Sequence, residues 1–141
     1  MTKIQALATA LVAFRNCVKS GNTAWRDRWA DRIDAIERSL PHGSGLDGDV
    51  EIDREWPARK EILVTFDYHH MNGDGFYVGW SRHVMAIYPE FDGISVRIDP
   101  HVFAPGIEID DWERDCLYDY LSELFHANLS EPWSFEPWSF E

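Results

Sequence analysis

The sequence is poor in features that usually announce a function. It holds two cysteines, Cys17 and Cys116, with no Cys-x-x-Cys spacing, so zinc-ribbon chemistry is excluded. No apolar run reaches the roughly 18 residues that a membrane span requires. Basic side chains are scarce: 13 Lys and Arg stand against 25 Asp and Glu, a formal charge of −12. Phosphate contact needs a basic face, which argues against a generic binder of nucleic acid or of an anionic membrane. Neither the GxSxG of a nucleophile elbow nor the GxxxxGK of a phosphate loop occurs.

What the sequence does have is apolar mass. Over 141 residues, hydrophobic side chains make up 45% and aromatics 14%, which excludes a disordered chain and suffices for one core. The cysteines fall on or near apolar helical faces and read as reduced core thiols of a cytoplasmic protein. The start, Met1-Thr2-Lys3 followed by Ile4 to Phe14, faintly resembles a secretory leader. Gln5 and Thr9 interrupt it, and the helical spacing of its apolar residues makes it a domain helix instead.

Thr2 and Gln5 have the capping-box spacing, and Ile4, Leu7, Leu11, Phe14 and Val18 form one stripe that Gly21 stops. A second helix starts at Thr23, carries Trp25, Trp29, Ile33, Ile36 and Leu40 on one face, and ends before Pro41. The short joint between them predicts an antiparallel pair. Val50 and Ile52 alternate with Asp49, Glu51 and Asp53, the pattern of a short edge strand with an acidic outer face. Residues 61–70 form the clearest strand, Asn72-Gly73-Asp74-Gly75 a hairpin turn, and residues 76–88 the return. Ile94, Val96 and Ile98 mark a further strand. A last helix starts at Asp110 or Asp111, with Cys116, Leu117, Tyr120, Leu121, Leu124 and Phe125 as its buried stripe.

The expected domain, residues 1–128, is α+β: an N-terminal antiparallel helix pair, a three- to four-stranded antiparallel meander sheet, and a C-terminal helix packed on the sheet. Residues 129–141 read as a flexible acidic-aromatic tail in which Glu-Pro-Trp-Ser-Phe occurs twice, at 131–135 and 136–140. The repeat is either a duplicated chain end or a docking segment whose two copies raise avidity.

A three-residue hairpin loop with Gly75 left-handed sets Val64 across from Val84, Phe66 across from Arg82 and Tyr68 across from Trp80. The opposite face then collects Asp67, His69, Ser81, His83 and Tyr77, within cross-strand reach of one another. Such a face could bind a small ligand, or a divalent metal through His69, His83 and Asp67; no other cofactor is expected. An ordinary solvated strand face competes with that reading. Arg82 on the apolar face, and Met85 and Ile87 on the polar one, are out of place and point to a bulge in the second strand. His70, if inward, reads as a hydrogen-bonded core histidine.

The loop residues His42, Ser44 and Asp47 complete the ligand-binding candidates, although the loop fits no calcium pattern: the required glycine position is Ile52 and the bidentate glutamate position is Ala58. Asp49, Glu51 and Asp53, with the tail residues Trp133 and Trp138, are candidates for contact with a protein partner.

Pro41-His42-Gly43-Ser44-Gly45-Leu46-Asp47, Tyr68-His69-His70-Met71-Asn72, Gly75-Phe76-Tyr77-Val78-Gly79-Trp80 and His83 together resemble small uncharacterised proteins encoded in phages and prophages. No established activity attaches to that group, so the resemblance implies a phage accessory setting and no residue roles. Two classes of function follow. The preferred one is an acidic inhibitor of a protein with a basic surface, such as a host-defence nuclease, a CRISPR-type complex or a toxin. The alternative is a small ligand-sequestering protein or metal-dependent enzyme built on Asp67, His69 and His83. Neither a membrane partner nor direct nucleic-acid contact is expected, and the expected compartment is the cytoplasm, the host's if the chain is phage-encoded.

Overall fold

Capping chemistry fixes the first two helices. In the computed structural model, which describes residues 1–41, 46, 50–56, 61–90, 93–98 and 107–135, helix α1 spans Lys3–Ser20. Thr2 Oγ1 accepts from the Gln5 backbone N–H (3.3 Å), and Gln5 Oε1 accepts from that of Thr2 (2.8 Å), which satisfies two orphan donors at once. Gly21 ends the helix at φ 73°, left-handed. Helix α2 (Thr23–Ser39) starts at Thr23 as the sequence predicts, and its cap is Asn22, whose Oδ1 accepts from the Trp25 N–H (3.2 Å).

Four antiparallel strands follow in the order β1-β2-β3-β4: β1 Glu51–Ile52, β2 Ile62–Met71, β3 Tyr77–Glu90 and β4 Gly93–Ile98. Helix α3, Asp111–Leu129, closes the order. Ile4, Leu7 and Leu11 of α1, Ile33 and Ile36 of α2, Val64 and Phe66 of β2, Met85 and Ile87 of β3, and Leu121, Phe125 and Leu129 of α3 share one buried core. The architecture is therefore the expected α+β one. Phe66 and Phe125, with ring centres 5.1 Å apart, join the sheet to α3.

Two expected stripes are shorter than the spacing suggests. Val18 is exposed on α1. On α3, Cys116 and Tyr120 are exposed, and burial runs instead through Leu121, Phe125 and Leu129. Both cysteines are free, Cys17 half-buried and Cys116 exposed, so neither is a core thiol.

The hairpin corrects the expected register. Its turn is as predicted: Gly75 lies at φ 81°, its N–H reaches the Asn72 carbonyl, and Met71 pairs with Tyr77. Then the register shifts. His70 pairs with Gly79, which leaves Val78 as an extra residue on β3. From there Val64 faces Met85, Phe66 faces His83, Asp67 faces Arg82, Tyr68 faces Ser81 and His69 faces Trp80. One inserted residue moves every β3 side chain to the other face. Met85 and Ile87 thereby enter the core and Arg82 leaves it.

Candidate functional site

The bulge divides the polar set that the sequence brings together. Asp67 and His69 lie on the outer face, while Ser81 and His83 lie on the inner face and are buried. Asp67 is claimed by Arg82, whose Nε and Nη2 donate to its two oxygens at 2.9 and 3.3 Å. Tyr77 does stand beside His69, with ring centres 5.6 Å apart. Trp80, expected against Tyr68, lies instead on the outer face under the Arg82 guanidinium, 5.7 Å from its ring centre. The metal set Asp67, His69 and His83 is split between two faces. Among the described residues, no three His, Cys, Asp or Glu side chains converge as a metal site.

The other candidates separate as well. Glu51 is exposed on β1, while Asp53 Oδ1 accepts from the Glu55 N–H (2.9 Å) and so holds a local turn. Trp133 is half-buried against the core. His42, Ser44, Asp47, Asp49 and Trp138 lie outside the described residues.

The inner face forms a different constellation. His70 Nε2 and His83 Nε2 both hydrogen-bond Ser81 Oγ, at 2.6 and 2.8 Å. A serine hydroxyl donates one hydrogen bond and accepts up to two, so at most one ring accepts from it and at least one donates to it. Two neutral rings, at least one of them protonated at Nε2, satisfy this chain. His83 stacks on Phe66 at 5.4 Å, and Tyr118 meets it edge-on at 6.1 Å. Burial, with the neighbouring His70 adding to it, lowers the His83 pKa to about 4 against an opposing effect of Asp67. His70 is also held below its ordinary value, mainly by burial, with Glu113 working the other way. The sequence reads His70, if inward, as a hydrogen-bonded histidine, which it is, but does not give its link to Ser81 and His83, because the link exists only in the shifted register.

His70 stands at the boundary between this buried chain and an open cleft of about 320 Å³. The cleft is lined by Tyr68, His70, Trp112, Glu113 and Tyr120, with Ile109, Cys116 and Leu117 between them. Tyr68 is T-shaped against His70 at 5.0 Å, and burial, with Tyr120 nearby, raises its phenol pKa. Trp112 stands at the rim, 74% exposed. Cys116 and Tyr120, exposed on α3, border this cleft. It offers three aromatic faces and one carboxylate, a composition that attracts a cation.

Beyond the cleft, the hairpin tip exposes Met71, Phe76, Tyr77 and Val78, with Phe76 at 70% and Tyr77 at 54%. Large apolar side chains grouped on a surface mark a contact site more often than isolated ones do. Among the described residues no helix is long and apolar enough to cross a membrane. No protein-family model matches the chain, and neither a curated protein nor a solved structure does.

Proposed function

We propose that this chain is an acidic binding module that inhibits a protein with a basic surface, and that the cleft between β2 and α3 receives a cationic side chain of that partner. The observation that carries the reading is the lining: Tyr68, Trp112 and Tyr120 supply aromatic faces, and Glu113 supplies the countercharge. The exposed apolar tip beside it provides contact area, and the −12 charge speeds encounter with a cationic target. A defence nuclease, a CRISPR-type complex and a toxin that acts on nucleic acid all carry such a surface, and blocking it is inhibition by occupancy.

An arginine-hexamer peptide tests this on the full chain, with tryptophan fluorescence as the readout. Wild-type protein binds it at low salt and binds it more weakly as salt is added. Glu113→Gln weakens binding about threefold to fivefold, the scale of an exposed cation–aromatic contact with its countercharge. Glu51→Gln, an equal charge change on distant β1, leaves it nearly unchanged. Equal effects of the two substitutions would mean that the peptide reads net charge and not the cleft.

A second reading, a small cationic ligand held in the cleft, is favoured by its volume and by His70 at its inner end. Methylguanidinium binding as tightly as the peptide does would support it over the protein partner.

A further inference from the structure

The first copy of the repeated pentapeptide is seated on the fold itself. The Glu131 carbonyl accepts from the Lys3 N–H (2.8 Å), Pro132 pairs with Thr2, and the Trp133 N–H donates to the Met1 carbonyl (2.9 Å). Lys3 Nζ lies 5.6 Å from the centre of the Trp133 ring. Trp29 meets Phe135 edge-on at 6.3 Å, and the Arg32 guanidinium covers both rings, at 4.4 Å from Phe135 and 5.1 Å from Trp29. The seat is thus built from residues 1–3 and one face of α2. It recognises an extended backbone, two aromatic rings and a glutamate, and Glu131 ion-pairs with Lys3 at 3.6 Å.

Residues 136–140 present the same five side chains in the same order. Besides the length of chain that leads to them, the copies differ in one contact: the Glu131 N–H donates to the Asn128 carbonyl (3.1 Å), which ties the first copy to the end of α3. Five extra residues of loop raise the closure cost only slowly. An open cleft of about 390 Å³, lined by Arg28, Asp31, Arg32, Ala35 and residues 133–135, borders the seat.

We propose that the seat formed by residues 1–3, Trp29 and Arg32 is a receptor for the Glu-Pro-Trp-Ser-Phe sequence as such, and that residues 136–140 dock there in exchange with residues 131–135. One copy is seated while the other is displayed. This inference stands apart from the cleft between β2 and α3 and survives the failure of that reading.

Full-length Trp133→Ala, Trp138→Ala and the double variant test it by thermal unfolding. Exchange predicts almost no change for Trp138→Ala, a small loss for Trp133→Ala, and a loss at least about twice as large in the double variant, a non-additivity expected of two groups that share one site. Equal losses for Trp133→Ala and the double variant would overturn the proposal. So would recovery of Trp133→Ala stability only at high protein concentration, which would put another chain's tail in the seat. If the double variant does not fold, fluorine NMR of 5-fluorotryptophan protein gives the answer from single variants. The Trp138 signal, assigned through Trp138→Phe, shifts toward the seated position in Trp133→Ala; an unmoved signal overturns exchange.

Discussion

Acidification from pH 6.5 to 4 removes roughly 3 kcal/mol of stability through His83 alone, at about 1.4 kcal/mol per pH unit. The sign follows from which state binds the proton. The unfolded chain protonates this imidazole below about pH 6.5, while in the folded chain it stays neutral until about pH 4. Across that window the unfolded state carries more protons, so stability falls as pH falls; the contribution is complete above 6.5 and gone below 4. The cause is structural: His83 is fully buried between Phe66 and Tyr118, and among the described residues its Nδ1 has no hydrogen-bond partner. A protonated ring would bury a charge there. Many carboxylates titrate nearby in pH, so the measurement is a difference. Urea midpoints at pH 7 and pH 4.5, taken for wild type and His83→Leu, should diverge, with the wild type losing more. Parallel losses would show that the ring is not the acid-sensitive group. His70, held low mainly by burial, adds in the same direction.

Gly79→Ala is expected to cost about 2–4 kcal/mol, combining backbone strain with overpacking. Gly79 has φ +144°, which side chains rarely adopt, and an added Cβ would stand 2.5 Å from Ile107 Cδ1 and 2.7 Å from its Cγ1. Glycine therefore serves the bulge twice: it permits the backbone twist and lets the segment entering α3 press against the hairpin. Adding Ile107→Ala relieves the contact but not the dihedral, so the double variant should recover part of the loss, measured by chemical denaturation. Full recovery would assign the whole cost to the contact, and no recovery would assign it to the backbone.

The elements were legible because they rest on local chemistry. Thr2 with Gln5, Gly21 and the Asn-Gly-Asp-Gly turn act within a few residues of themselves, and the helix and strand periods follow from them. The site was not legible, because it depends on one residue's placement. The turn predicted the correct pairing of Met71 with Tyr77, yet every pair beyond Val78 was displaced by one. The sequence carried the correction in Arg82, Met85 and Ile87, each on the wrong face of the simple register. A glycine after a valine in the return strand was the position to suspect. The cleft was hidden for a related reason: helical spacing shows which α3 side chains share a face, not which of them meet Tyr68 and His70 across a cleft. The docking of Trp133 joins the end of the last helix to residues 1–3, a contact that no local pattern encodes.

Lys3 illustrates the same limit. Its position before an apolar run looked like a leader's charge. In the fold its ammonium is buried and donates to the Ser39 carbonyl (3.2 Å) and Asn128 Oδ1 (2.9 Å). Burial lowers its pKa, while Glu131 partly restores it. It ties the start of α1 to the ends of α2 and α3.

The unpaired Val78 also works as a phase marker for the sheet. Strand side chains alternate with a period of two, so the hairpin behaves like a message read in a two-letter frame. Removing Val78 alone would set Tyr77 and Gly79 side by side opposite Met71 and His70 and keep Met85 and Ile87 inside, whereas removing a second residue there would turn them toward water and bring Arg82 in. Lineages that lose the bulge should therefore be one residue shorter here with the same inner face, and any further odd step should be recovered by a compensating change on the same strand.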